Sequence, residues 1–312
     1  MLIGLDIGGT KCAVVTGDEK GNILHRYVIK TTDFPTTYAA IFKYLKTLPP
    51  FESVGISCGG PLDEEQGVVL SPPNLPDWDG VEIVKDIETT FGVPAKIRND
   101  ANACALAEYK FGAGVGCKNM VFLTFGTGMG AGIIADGKLY GGTNGNAGEV
   151  GHIRMAKQGP VGYGKIGSFE GFCSGQGIRQ LAALYAAKAE KKGVIPSYTS
   201  VENYTTADVA IAARAGDKTA LSVFRKCGDM LGKGLAVLVD ILNPERIVIG
   251  SVYARCQDLL DKAMYKSLSR ESLSVSLSAC EIKPAQLGEQ IGDKAAIAVA
   301  TEAYYALHTK HN

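Results

Sequence analysis

Each half of this chain opens on the same construction, a glycine-rich turn set between two aliphatic runs. The first is "LIGLDIGGTKCAVV" from Leu2 and the second is "NMVFLTFGTGMGAGIIADGKLY" from Asn119. Taken alone, the Gly8–Gly9 pair between apolar, β-rich segments reads as a hairpin turn. Two such turns in one chain say more. Gly8, Gly9, Gly126, Gly128 and Gly130 let backbone N–H groups approach phosphate oxygens with no Cβ in the way. Thr10 and Thr127 add hydroxyl donors, and Lys11 adds a positive charge. The pairing predicts two similar α/β lobes with a central cleft between them for a phosphorylated ligand. The repeat is one of architecture, not of sequence.

The segments between the turns alternate. "LIGLDI", "KCAVVTG" and "ILHRYVIK" read as strands, with "DEKGN" turning the second hairpin. "TTYAAIFKYLKTL" has helical periodicity, "SVGISC" is a buried strand, and "VEIVKDIETTFG" is an amphipathic helix stopped by a glycine. "PAKIRN" is extended and "DANACALAEYKFG" begins a helix, so the order βββαβαβα predicts an α/β fold with a mixed sheet. Beyond the second glycine turn, a tight turn falls at Asp136–Gly137 and helices are expected over 175–192, 206–215 and 217–242. "ERIVIG" is a further strand and "IGDKAAIAVATEAYYAL" a terminal helix. The expected lobes are residues 1–117, completed by a C-terminal helix over about 293–312, and residues 118–292.

Composition removes several classes of function. Lys plus Arg and Asp plus Glu both total 32, so the formal net charge is zero and no footprint for nucleic acid or an anionic membrane is present. The start runs directly into a strand without a leader pattern, and no uninterrupted apolar run approaches the roughly 18 residues of a membrane span. Eight cysteines are scattered singly without a CxxC pair. They read as small buried thiols of a reducing, cytoplasmic protein.

Five blocks, "DIGGTK", "RNDANAC", "TFGTGMGAG", "GEVGH" and "IVIGS", occur in an order and spacing that resemble the ROK family (repressors, open reading frames and sugar kinases). The resemblance covers essentially the whole chain. It implies two ribonuclease-H-like lobes of the sugar kinase/Hsp70/actin fold closing over ATP and a sugar, and phosphorylation of a hexose or hexose derivative, usually at C6. No GxxxxGK[ST] pattern is present. The resemblance instead puts Asp6 near Mg²⁺ through water, with Gly8, Gly9 and Thr10 at the β- and γ-phosphates. Gly126, Thr127, Gly128 and Gly130 hold phosphates from the opposite lobe, and Gly250 and Ser251 mark the adenosine segment. The family more often has a second glycine where Ser251 stands.

Phosphoryl transfer to a hydroxyl needs a carboxylate that orients it and accepts its proton. Local sequence assigns Asp100 to helix capping, because Asn or Asp before an apolar run is a good N-cap. The resemblance makes Asp100 the catalytic base as well as a sugar contact, and assigns Asn99, Glu149, His152 and Glu170 to sugar hydroxyls, with Asn74 a further contact. Glu149 and His152, three residues apart, share one helical turn. Trp78, the only tryptophan, anchors the Asn74 loop.

The chain departs from the family at one place. Most members carry CxCGxxGCxE, whose three cysteines bind zinc with the histidine. Here the stretch is "VGYGKIGSFE", with Val161, Tyr163 and Ser168 at the cysteine positions. Val and Ser are not thiolate ligands. The expectation is a zinc-less variant in which packing and hydrogen bonds within "GYGKIGSFE", with Tyr163 and Lys165 as candidate partners, orient the His152 ring. A small-molecule sugar is the implied partner, no nucleic acid and no membrane are, and the family implies a homodimer. Glucose, N-acetylmannosamine, N-acetylglucosamine, fructose, allose and β-glucosides all stay open as substrates. A β-glucoside kinase and a non-catalytic sugar sensor are the alternatives. A repressor is disfavoured, since the chain starts at the "DIGGT" strand without a helix-turn-helix segment.

Overall fold

The computed structural model describes residues 1–308, which form two compact α/β units. The first comprises residues 1–116, 132–147 and the segment from Gln286 onward, and the second comprises 117–131 and 148–285. Residues 309–312 of the expected terminal helix lie outside the described residues.

The first unit begins with the antiparallel strands β1 (Leu2–Ile7), β2 (Lys11–Gly17) and β3 (Ile23–Lys30). Helix α1 (Phe34–Leu45) follows, started by Asp33, whose side chain accepts from the Thr36 N–H. Strand β4 (Ser53–Cys58), the short hairpin β5 (Leu62–Asp63)–β6 (Val68–Val69), α2 (Ile83–Phe91), β7 (Ala95–Asn99) and α3 (Asp100–Phe111) complete this stretch. The sheet order is β3-β2-β1-β4-β7, with β4 parallel to both β1 and β7. Ile3, Leu5, Ile7, Val54 and Ile56 pack with Ile41 and Leu45 of α1 and Ile83 and Ile87 of α2. This is the βββαβαβα order read from the sequence, with one addition, the β5–β6 hairpin. Gly92 ends α2 in the left-handed conformation at φ +68°, which glycine adopts without a Cβ penalty.

In the second unit, β8 (Met120–Leu123) runs into the second glycine turn. Next along the chain come β9 (Ala131–Ala135) and β10 (Lys138–Leu139), which apart from Ala131 fall in the 132–147 segment of the first unit and are joined by Asp136 and Gly137, both at positive φ as the tight turn requires. The second unit resumes at Gly148. The chain then builds the hairpin β11 (Val161–Gly162)–β12 (Lys165–Ile166), α4 (Phe169–Phe172), α5 (Gly175–Glu190), α6 (Thr206–Arg214) and α7 (Lys218–Leu242). Strand β13 (Arg246–Ile249), α8 (Val252–Glu271), α9 (Ser274–Ser278) and β14 (Glu281–Pro284) follow. Strands β8, β13 and β14 are parallel, and Val121, Leu123, Ile247 and Ile249 pack under Phe125, Phe169, Leu235 and Tyr253. Helix α8 was not read from the sequence, although Tyr253, Cys256, Leu260, Met264 and Leu268 bury one face at helical spacing. It lies against α7 at Gly228 and Gly232, where a Cβ would come within 2.6 Å of the Leu260 carbonyl oxygen and 2.2 Å of the Met264 carbonyl oxygen.

The last helix, α10 (Ile291–His308), returns to the first unit. It rides directly on β1 and β4. A Cβ on Gly55 would lie 2.0 Å from the Ala300 nitrogen, and one on Gly4 would lie 2.7 Å from the Ala296 Cβ. Arg98 and Lys96 on β7 pair with Glu302 of α10. All eight cysteines are free thiols, and six of them are buried. Among the described residues no helix is long and apolar enough to cross a membrane.

Candidate active site

The Gly8–Thr10 turn joins β1 to β2 and is a hairpin closed by the Gly8 N–H donating to the Lys11 carbonyl at 3.2 Å. Thr31 stiffens it, its hydroxyl donating to the Gly8 carbonyl at 2.6 Å and its N–H to the Thr10 carbonyl at 3.1 Å. The Asn74 loop presses on the turn from one side. A Cβ at residue 9 would sit 2.5 Å from the Asn74 carbonyl oxygen, so only glycine fits. That loop is pinned by Trp78, which is buried against Phe34 and Tyr38. Gly9, Thr10 and Lys11 are exposed.

Asp6, one residue before the end of β1, faces the first turn of α10, where a Cβ on Gly292 would come 2.8 Å from its Oδ2. Burial pushes its pKa up to about 6; repulsion from Asp293 and Asp100 adds to the rise, and Arg26 and Lys11 oppose it. Arg26 is itself held on Asp293 through Nε at 3.0 and 2.8 Å.

Asn99 and Asp100 stand where β7 becomes α3. The N-cap is Asn99, not Asp100: its side chain accepts from the Ala101 N–H at 3.0 Å, and Asp100 is the first helical residue. The reason is spacing, since an N-cap reaches the N–H groups ahead of it only from outside the helix. Asp100 Oδ1 shares the same Ala101 N–H at 2.8 Å. The side chain is open to solvent at its surface, yet enough protein surrounds it that desolvation raises its pKa, against the Ala101 hydrogen bond that lowers it.

A residue that sequence reasoning passed over, Glu64, closes this loop from behind. Its Oε1 accepts from the Asn99 N–H at 2.7 Å and from Asn102 Nδ2 at 3.0 Å, and its Oε2 accepts from Arg98 Nη1 at 3.0 Å. In "PLDEEQG" it reads as one of several loop acids. The available signal was Asp63, whose side chain accepts from the Glu65 and Gln66 N–H groups and so folds the turn around Glu64. Glu64 and Arg98 also line a cavity of about 960 Å³ that contains none of the sequence-assigned site residues.

In the second unit the glycine turn is tied at both ends. The Thr124 N–H donates to the Gly130 carbonyl at 3.0 Å, the Gly130 N–H to Thr124 Oγ1 at 2.9 Å, and the Gly126 N–H to the Gly128 carbonyl at 3.0 Å. The start of α5 meets it, with the Gly175 N–H on the Gly126 carbonyl at 2.8 Å. Gly250 and Ser251 arrive from β13, and the Ser251 Oγ lies 3.9 Å from where a Gly126 Cβ would be. Ser251 holds φ +50° and ψ −109°, a left-handed conformation strained for any residue with a Cβ. Glu170, on α4, accepts from the Met129 N–H at 2.9 Å. The short 3₁₀ turn Val150–His152 packs beside it, Gly151 being so close that a Cβ would lie 2.1 Å from the Met129 carbonyl oxygen. Glu170 and the backbone at Gly151 thus meet the second glycine turn, Asn74 meets the first, and Asp100 lies close enough to Asp6 to raise its pKa.

The donor set does not fit zinc. Val161 and Tyr163 belong to the β11–β12 hairpin, closed by Tyr163 and Gly164 at φ +44° and +73°. Ser168 caps α4 through the Gly171 N–H at 3.1 Å and donates to the Gly162 carbonyl at 3.3 Å. The Gln180 side-chain amide clamps the Val161 backbone, its Oε1 accepting from the Val161 N–H and its Nε2 donating to the Val161 carbonyl, both at 2.8 Å. Among the described residues no group of three or more His, Cys, Asp or Glu is arranged to hold a metal. Of the two candidate partners of His152, Lys165 donates through Nζ to the His152 carbonyl at 2.6 Å, and Tyr163 is 78% exposed. The hairpin therefore fixes the backbone of residue 152.

The model of the ROK family matches residues 2–303. The chain belongs to the ROK family. It is 33% identical over 314 aligned positions to a glucokinase of Streptomyces coelicolor, covering 97% of this chain and 98% of that one. The structure of a ROK family glucokinase from Streptomyces griseus in complex with glucose and AMPPNP matches with a TM-score of 0.77 at 32% identity, over 97% of this chain and 99% of that one. A xylose repressor of Caldicellulosiruptor bescii is 32% identical over 241 positions, covering 76% of this chain and 59% of the repressor. The fold is the actin-like ATPase fold of the ROK sugar kinases.

Proposed function

We propose that this ROK sugar kinase transfers the γ-phosphoryl group of ATP to the C6 hydroxyl of a hexose, with Asp100 as general base. The observation that carries the reading is the state of Asp100: one oxygen is tied to the Ala101 N–H, and desolvation raises its basicity. A positioned carboxylate of raised pKa is what proton removal from an alcohol requires. The hydroxyl oxygen attacks the γ-phosphorus as its proton passes to Asp100, and ADP leaves with the bond it held to that phosphorus. Asn99, its Oδ1 used for capping, offers its amide nitrogen to a sugar hydroxyl, and Asn74, Glu149, His152 and Glu170 are the other sugar contacts.

Gly8, Gly9, Thr10 and Lys11 receive phosphate oxygens from the first unit, and Gly126, Thr127, Gly128 and Gly130 from the second, with Gly250 and Ser251 at the nucleoside. Asp6 fits a cation carried with ATP, because its buried carboxylate is held among like charges that a cation relieves. Mg²⁺ there would neutralise charge developing on the phosphates. The hairpin at 161–166 replaces a zinc site, so no step runs through zinc. The enzyme is read as cytoplasmic and homodimeric.

Glucose is the first substrate to test, since two of the relatives named above are glucokinases. ADP release is measured with glucose, 6-deoxyglucose, N-acetylated amino sugars, other hexoses and β-glucosides. Turnover with glucose and none with 6-deoxyglucose is expected. Turnover confined to β-glucosides moves the specificity, and sugar binding without any ADP release replaces the kinase by a sensor.

A further inference from the structure

Asp100 can act as a base only if its free oxygen points the right way, and its own residue does little to fix that direction. Its backbone follows Asn99, and the Ala101 N–H is shared between the two side chains. What holds the step from strand to helix is Glu64, 8% exposed at its side chain, which takes the Asn99 N–H before Asp100 and the Asn102 amide after it. Its second oxygen is seated on Arg98, and Arg98 is braced in turn by Glu302. All of these residues lie in the first unit. We propose that Glu64 is a positioning residue that aims the Asp100 carboxylate, acting through the backbone of Asn99 and the side chain of Asn102. The inference rests on the reading of Asp100 as base. Displacing a reacting group by about 1 Å costs on the order of 10²-fold in rate, and a site placed by an unsupported loop loses that precision.

Two conservative variants separate aiming from charge. Glu64→Gln keeps a carbonyl oxygen able to accept from the Asn99 N–H but removes the charge. Glu64→Asp keeps the charge for Arg98 but is one methylene too short to hold all three partners. The expected result is a kcat within about fivefold of the parent for E64Q and a fall of roughly tenfold or more for E64D. The KM for ATP should stay within about twofold in both. In a D100N background, E64D should cause no further fall, because Glu64 acts through Asp100. The reverse order of the two variants, an equal loss in both, or a multiplicative loss in the double mutant overturns the proposal. D100N retaining near-parental kcat instead overturns the assignment of Asp100, and so distinguishes the two failures.

Discussion

The Glu170 carboxylate accepts the Met129 N–H at 2.9 Å, so a side chain assigned to sugar closes the backbone of a turn assigned to phosphate. Gly128 lies against the same carboxylate, and a Cβ there would stand 2.7 Å from Oε2. The end of a glutamate side chain yields easily, so Gly128→Ala should leave stability within about 1 kcal/mol of the parent while pushing Glu170 off its place. The expected signature is a rise in KM for both sugar and ATP in steady-state kinetics. A rise for ATP alone would show that Glu170 is not shared.

Asp100→Asn should keep the fold, since Asn99 supplies the cap. It should also keep the binding of a nonhydrolysable ATP analogue, measured by calorimetry. Its kcat should fall by about 10²–10⁴.

Ser251 sits at φ +50° and ψ −109°, where a Cβ is unwelcome. Replacement by glycine removes strain of order 1–3 kcal/mol, offset in part by the greater freedom of glycine in the unfolded chain. Thermal unfolding of Ser251→Gly should therefore show a higher Tm. A lower one would mean that the Ser251 hydroxyl contributes more than its conformation costs.

Hydrogen bonds hold the segment from Val161 to Glu170: Gln180 clamps Val161, and Ser168 caps α4 while donating to the Gly162 carbonyl. Ser168→Ala removes the cap of α4 and should cost about 1 kcal/mol, with a raised KM for sugar because α4 carries Glu170. Activity with excess Mg²⁺ should survive a zinc-selective chelator. Stoichiometric zinc by elemental analysis would refute this.

Asp6 supplies a pH dependence. Its folded pKa of about 6 lies above the unfolded 3.8, so the folded state holds the proton more tightly. The sign is a penalty: absent below about pH 4, growing as the carboxylate ionises, complete above about pH 6 and worth roughly 3 kcal/mol at most. Without nucleotide, Asp6→Asn should unfold at a higher temperature than the parent at pH 7–8, and the difference should vanish near pH 4. A constant difference across that range would mean that the charge of Asp6 is not the cause.

The amino-acid sequence determined what acts over a few residues. The glycine turns, the order of β1 to α3, the Asp136–Gly137 turn and the glycine stop of α2 follow from local chemistry, because backbone conformation and side-chain period are properties of neighbours. Placing the cap one residue away, on Asp100 instead of Asn99, shows the limit of that resolution. The motif around Asp100 was legible only as a family resemblance, since a carboxylate before an apolar run is by itself a cap. Tertiary structure alone decided the support. Glu64 reaches Asn99 across 35 positions and Glu170 reaches Met129 across 41, pairings that no periodicity marks. Asn74 on Gly9, α10 on Gly4 and Gly55, and the 132–147 segment joining the first unit have the same origin. Such contacts are selected by which surfaces can approach once all elements are packed, so the partners that Glu64 and Glu170 reach carry no local signal in the sequence.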